Sequence, residues 1–129
     1  RKGTHAFIVL NRYPYVSGHL MIVPYRHLAS PVDLDPDEWR EMNALLSLAL
    51  RALQDEYRPQ GFNIGMNIGR AAGAGIADHV HLHVVPRWNG DGNFVSVLSG
   101  TRVIPEDPAV TYARLCAALR AVEQQEVQR

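Results

Sequence analysis

The amino-acid sequence predicts an α+β fold, a mainly antiparallel sheet of about five strands with two main helices. Two observations carry this prediction. The chain opens with two strand-like runs joined by a short turn, a hairpin rather than the strand–helix–strand alternation of a parallel sheet. Two helix signals, each an Asp-Pro pair ahead of an apolar stripe, bracket further strand-like runs. A length of 129 residues suits one domain, residues 1–129, able to bury a core without disulfides or a structural metal.

The elements follow in order. Ala6–Leu10 and His19–Val23 read as strands, with the Pro and Gly of Tyr13-Pro14-Tyr15-Val16-Ser17-Gly18 making the turn. Asp35 is placed to cap a helix, Pro36 suits its first position, and Glu38 completes a capping box. Trp39, Met42, Leu46, Ala49, Leu53 and Tyr57 then recur at spacings of three and four, a core-facing stripe that Pro59 stops. Phe62, Ile64, Met66 and Ile68 alternate with Asn63, Gly65, Asn67 and Gly69, predicting a strand with one buried face. Amides and glycines make the opposite face suited to close approach by a ligand. Arg70–Ile76 is a Gly/Ala loop, and His79–Val85 is a strand closed by Pro86. Phe94–Leu98 and Thr101–Ile104 are short strand candidates around a Ser99-Gly100 turn. Asp107-Pro108 opens a second helix whose stripe is Tyr112, Leu115, Leu119 and Val122.

Composition excludes several classes. Thirteen basic and thirteen acidic residues balance, so no global field draws nucleic acid or a membrane surface. No apolar run approaches the ~20 residues of a membrane helix. The single cysteine, Cys116, forms no internal disulfide and no Cys-x-x-Cys zinc site, and a lone thiol suits a reducing cytoplasm. The sequence opens on Arg1 rather than Met, which leaves room for a preceding segment.

The chemistry concentrates in His79-Val80-His81-Leu82-His83-Val84-Val85-Pro86-Arg87-Trp88. In a strand, residues 79, 81 and 83 share a face while Val80, Leu82 and Val84 anchor the other. Such a row can chelate zinc, since a catalytic zinc needs three protein ligands. It can equally supply a nucleophile, because an imidazole titrating near ~6.5 is largely neutral at pH 7. Attack on phosphorus then splits one hard displacement into two easier ones, with a second histidine holding the phosphate or protonating the leaving group. Trp88 suits either stacking on a base or packing under the lip of the site, and Arg87 reads as a solvated side chain.

The pattern His-apolar-His-apolar-His-apolar-apolar resembles the signature of the histidine triad superfamily. The likeness extends to Asn11–Pro24, with its glycine–histidine after the turn, to Gly61–Gly75, and to Pro86–Phe94. That last stretch is most similar to the bacterial branch containing diadenosine tetraphosphate phosphorylases, near the fragile-histidine-triad-like hydrolases. The resemblance implies a fold of that family. It implies an enzyme, a nucleotide hydrolase or phosphorylase (nucleotidyltransferase), that cleaves dinucleoside polyphosphates at the α-phosphate through a covalent nucleotidyl-histidine, with phosphate or water as acceptor.

By position, the resemblance makes His81 the nucleophile, with its Nδ1 proton held by a backbone carbonyl. It puts His83 on the α-phosphate and bridging oxygen, with His79 and His19 as supporting histidines. Asn67 matches a residue reaching the phosphates, and Asn11 one near the ribose; capping of the strand end is the alternative for Asn11. The loop around Gly73, Ala74 and Gly75 lacks the Lys and Ser/Thr of a P-loop, yet its amides suit a phosphate. Gly75 stands where relatives often carry Gln, Ser or Thr, so one side-chain phosphate contact is absent. No metal site or tightly bound cofactor is expected; magnesium would ride on the substrate phosphates. A homodimer in the cytoplasm is the expected assembly. Within the superfamily a purine-nucleoside phosphoramidase is the alternative activity, while the uridylyltransferase branch carries Gln where this chain has His83. Outside it stand a non-catalytic nucleotide-binding sensor and a zinc enzyme built on the triad.

Overall fold

A computed structural model describes residues 1–72, 74, 78–91 and 106–127. In chain order these form β1 (Ala6–Leu10), β2 (Leu20–Pro24), α1 (Pro36–Tyr57), β3 (Gly61–Gly65), β4 (Leu82–Arg87) and α2 (Pro108–Val127). Short 3-10 turns occupy Pro31–Asp33 and Arg70–Ala72. The sheet runs β1-β2-β4-β3 with every neighbouring pair antiparallel. This is the predicted α+β class, with four strands among the described residues. The candidate strands Phe94–Leu98 and Thr101–Ile104 lie outside them.

The predicted hairpin forms, with Ala6 opposite Pro24 and Leu10 opposite Leu20. Its second strand starts one residue later than expected, leaving His19 in the turn. Gly18 closes that turn at φ +80, a conformation glycine adopts without strain; a Cβ there would meet Leu53 Cδ2 at 3.0 Å.

α1 starts as its sequence demands. The Asp35 carboxylate accepts from the amides of Asp37 and Glu38, and the Glu38 carboxylate accepts from the Asp35 amide. Glu38 is 2% exposed and is held by both Nε and Nη2 of Arg26 at 2.7 and 2.6 Å. Those bonds outweigh the burial that opposes charge, and its pKa falls to about 2. At the other end Arg58 takes a left-handed conformation and caps the helix just before Pro59.

The buried arc of α1 is wider than one stripe. Met42, Leu45, Leu48, Ala49, Ala52 and Leu53 are buried, whereas Trp39 is exposed and Leu46 and Tyr57 are half-buried. The sheet covers one flank of α1 and α2 the other, so Leu45, Leu48 and Ala52 join the core. On α2 the buried set is Thr111, Leu115, Ala118, Leu119 and Val122; Tyr112, expected on the stripe, faces outward.

Helices cover the sheet face that carries Ala6, Ile8, Leu20, Ile22 and Val84. Each of the Ile, Leu and Val side chains contributes on the order of 2 kcal/mol. A one-residue slip of β2 would expose Leu20 and Ile22 together, so register is fixed by several kcal/mol. The opposite face is left open by the helices. β3 is shorter than the predicted strand, ending at Gly65, and its apolar positions are only partly covered, with Ile64 44% exposed. It is the sheet edge, with β4 as its only neighbour among the described strands. No helix among the described residues is long and apolar enough to cross a membrane.

Candidate active site

β4 begins at Leu82, not at His79, and continues through Pro86 to Arg87. Before Leu82 the chain bends, because the Val80 amide bonds the Leu28 carbonyl at 2.6 Å instead of joining the sheet ladder. Val80 and Val84 are buried and Leu82 packs against the core, as their alternation predicts. The three triad rings, however, do not form one row.

His81 and His83 stay together, their ring centroids 4.7 Å apart and edge to face. The His79 ring turns away. Its Nε2 donates to the Pro24 carbonyl at 2.9 Å, and the ring meets that of His27 at 4.7 Å. The main chain of His79 nonetheless serves the site: its carbonyl lies 2.9 Å from His81 Nδ1. A carbonyl only accepts, so Nδ1 carries the proton and Nε2 of neutral His81 is left with its lone pair.

His19, from the turn before β2, packs beside His83 on the side away from His81. It is 1% exposed, its Nε2 lies 2.9 Å from His83 Nδ1, and the Tyr15 amide donates to its Nδ1 at 3.2 Å. An amide N–H only donates. His19 Nδ1 is therefore the acceptor, its Nε2 carries the proton, and His83 Nδ1 accepts that proton's hydrogen bond. Neutral His83 then bears its own proton on Nε2. Burial, then the neighbouring His83 and His81 rings, push His19 down from 6.5 to about 4. Burial and His81 likewise lower His83. Among the described residues no buried side-chain nitrogen or oxygen lacks a partner.

The Tyr15 ring stacks on His19 at 4.8 Å and tilts against His83 at 6.3 Å, and it is largely exposed. Sequence reasoning saw Tyr15 only as a turn residue, because nothing in a pattern of side chains marks a main-chain donor. Asn11 is both turn cap and neighbour. Its Oδ1 accepts from the Tyr13 amide at 3.0 Å, while its Nδ2 lies 3.4 Å from His19 Nδ1. Ser17 accepts the Glu106 amide, and the Glu106 carboxylate binds Tyr57, Thr111 and Arg114, tying α2 beneath this turn.

Pairing across the sheet shows what else shares the open face. Met21 lies opposite His83, Val9 opposite Met21, and Gly65 opposite His83 on the other side. Directly paired residues project to the same side. An apolar strip, Val9 and Met21, therefore flanks the imidazoles, and the bare Gly65 lies beyond them.

Asn67 is half-buried just after β3, and Ala74 bonds the Gly69 carbonyl at 3.4 Å; Gly73 and Gly75 lie outside the described residues. Trp88 is half-buried, its amide held by Asp91. Arg87 is not a free solvated cation. Asp91 grips it at 2.8 and 2.6 Å and Asn63 takes its Nη1. That pair holds the Asp91 carboxyl at about 2. No group of three or more metal-ligating side chains converges among the described residues. The donors at the site are imidazoles and amides, which suit a neutral nucleophile and a phosphate more than a hard cation.

The HIT domain family model matches residues 2–90. An AP-4-A phosphorylase from Mycobacterium tuberculosis is 47% identical over 105 residues, 81% of this chain and 54% of that protein. The chain thus spans about half the length of that relative. A zinc-bound histidine triad family protein from Mycobacterium smegmatis superposes with a TM-score of 0.77 at 28% identity, covering 97% of this chain and 85% of the other. The diadenosine triphosphate hydrolase of Plasmodium falciparum, crystallised with cyclomarin A, shares the fold at a TM-score of 0.74 and 19% identity, over 95% and 74% of the two chains.

Proposed function

Because this chain belongs to the HIT domain family, we propose that it is a nucleotidyl hydrolase or transferase acting on dinucleoside polyphosphates, with His81 as nucleophile. The observation that carries the reading is the pairing of two imidazoles whose hydrogen bonds dictate opposite tautomers, leaving Nε2 of His81 for a lone pair beside an N–H on His83 Nε2. The identity to a phosphorylase of AP-4-A supports the substrate class.

In the first step His81 Nε2 forms a bond to the α-phosphorus while the bond to the bridging oxygen breaks. The electron pair leaves on that oxygen, and the His83 Nε2–H donates a hydrogen bond to it. His81 becomes a cationic N-phosphoryl imidazole whose Nδ1–H remains on the His79 carbonyl. In the second step an oxygen of water or phosphate attacks phosphorus, the N–P bond breaks, the pair returns to Nε2, and an attacking water gives up one proton to solvent. Val9 and Met21 offer a surface for the base, with Asn11 on the ribose side and Trp88 at the margin. Asn67 and the amides of 73–75 receive the outer phosphates. Any magnesium travels with those phosphates and belongs to the substrate. A second copy of the chain is placed on the open β3 edge, and the working compartment is the cytoplasm.

The test is acid-quenched mass spectrometry of the protein mixed with diadenosine tetraphosphate. A nucleotidyl adduct on His81 is expected. His81→Ala should abolish it and lower kcat by at least about 10⁴-fold. Turnover that persists in that variant would sink the reading. Running the wild-type reaction with and without inorganic phosphate names the acceptor.

A further inference from the structure

We propose that Arg26 is a positioning residue for the nucleophile: it fixes the loop after β2 whose Leu28 carbonyl bends the chain at Val80, and that bend brings the His79 carbonyl onto His81 Nδ1. This deepens the reading above and rests on His81 as the nucleophile.

A straight strand forbids the contact on which His81 depends. In an extended strand the carbonyls lie in the plane of the sheet and the side chains stand perpendicular to it. The ring at position 81 cannot then reach the carbonyl at position 79. Here Nδ1 lies 2.9 Å from that carbonyl, and β4 begins only at Leu82. The peptides at 79 and 80 have left the sheet plane. Two bonds hold them, and both end on the loop after β2. The Val80 amide donates to the Leu28 carbonyl at 2.6 Å, and the His79 ring donates to the Pro24 carbonyl at 2.9 Å. Burial of the Val80 side chain fixes where the chain passes, not how its peptides are turned.

Pro24 is itself set by the sheet, opposite Ala6. Leu28 is not. The Tyr25 amide still bonds the His5 carbonyl, but from Arg26 to Ala29 the main chain makes only the Leu28–Val80 bond among the described residues. The Arg26 side chain supplies the rest. Its Nε and Nη2 donate to the two Glu38 carboxylate oxygens at 2.7 and 2.6 Å, and Nη2 also donates to the Asp33 carbonyl at 2.9 Å. Glu38 is buried at the start of α1, so the guanidinium moors the loop to a fixed point. Glu38 needs no arginine to cap its helix, because its Oε2 already accepts from the Asp35 amide. A planar fork with three bonds sets direction as a point charge does not. Once the loop loosens, the Leu28 carbonyl releases Val80 and the His79 carbonyl turns back toward the sheet plane. His81 is then free to carry its proton on Nε2, the atom that must attack.

The experiment compares full-length wild type, Arg26→Met, Arg26→Lys and Asp35→Ala with diadenosine tetraphosphate as substrate. In Arg26→Met kcat should fall by about tenfold or more while KM stays within about twofold, because aim rather than binding is lost. Hydrogen exchange at the Val80 amide should quicken. Imidazole ¹⁵N spectra at pH 8 should show His81 passing from Nδ1–H to a mixture with Nε2–H. Arg26→Lys keeps the charge and loses the fork, so it should show the same changes in smaller degree. It becomes the deciding variant if Arg26→Met does not fold. Asp35→Ala weakens the same helix start but keeps the Arg26–Glu38 bonds, and should leave kcat and the His81 spectrum as in wild type.

A wild-type His81 tautomer and kcat in the deciding variant would overturn the inference and leave the nucleophile reading standing. So would an Asp35→Ala protein that reproduces the arginine variants, since loosening of α1 would then be the cause. Absence of any His81 adduct in wild type removes the parent reading and this one together.

Discussion

At the scale of single residues, the buried His19 and the half-buried His83 give the fold a pH signature. His19 and His83 titrate lower in the folded chain than in the unfolded one. At pH 7 both are largely neutral in either state, so the effect there is small. As pH falls below ~6.5 the unfolded chain takes up protons that the native site refuses, so stability declines until His19 also protonates near pH 4. The depressed carboxylates act in a lower window. Glu38 and Asp91 stabilise the fold above the ordinary carboxylate range, and lose that contribution as pH falls toward about 2. Urea midpoints between pH 7 and 5 therefore report mainly on the histidines, and His19→Asn should make the drop over that interval smaller. An unchanged slope would mean that His19 is not held neutral. The triad was legible in the sequence as residue types, and so was the buried side of its strand at Val80, Leu82 and Val84. The turned ring of His79 was not, because strict alternation presumes a straight strand, and the Val80–Leu28 hydrogen bond bends this one. The partnership of His19 with His83 spans 64 residues, beyond any local spacing rule.

At the scale of elements, the start of α1 was readable to the residue. Asp35, Pro36 and Glu38 carry local chemistry that needs no tertiary partner. What the sequence withheld is that Glu38 also receives Arg26 from beyond β2, making the cap part of an ion pair whose carboxylate is buried and whose guanidinium is half exposed. Asp35→Ala should cost about 1 kcal/mol, the usual effect of a lost cap. Glu38→Gln should cost about 2 kcal/mol, since charged hydrogen bonds from Arg26 are lost as well. The double variant should cost less than the sum, because each single change already breaks the capping box. Thermal or urea unfolding of the three proteins measures this, and full additivity would argue against a shared network. The apolar stripes were legible as stripes and misplaced as faces. Choosing Trp39 and Tyr112 assumes a helix covered on one side, whereas α1 lies between the sheet and α2.

At the scale of the whole molecule, the proposed second copy is tested at β3, the edge strand among the described residues. Ile64 and Ile68 are 44% and 50% exposed on and beside this strand, whose only partner among the described strands is β4, a surface that a second copy would cover. Sedimentation of wild type should show a dimer, and Ile64→Lys should weaken it by about tenfold or more in dissociation constant. A wild-type monomer at high micromolar concentration would remove that assignment. The hydrogen-bond chain that orders the imidazoles has a different kind of root. It begins at the backbone of residue 15, which every amino acid but proline supplies alike. Drift at that codon can strip the aromatic ring from the mouth of the site and still transmit the same protonation pattern. The site's acid–base identity is inherited with the path of the turn and is protected from nearly every point mutation there.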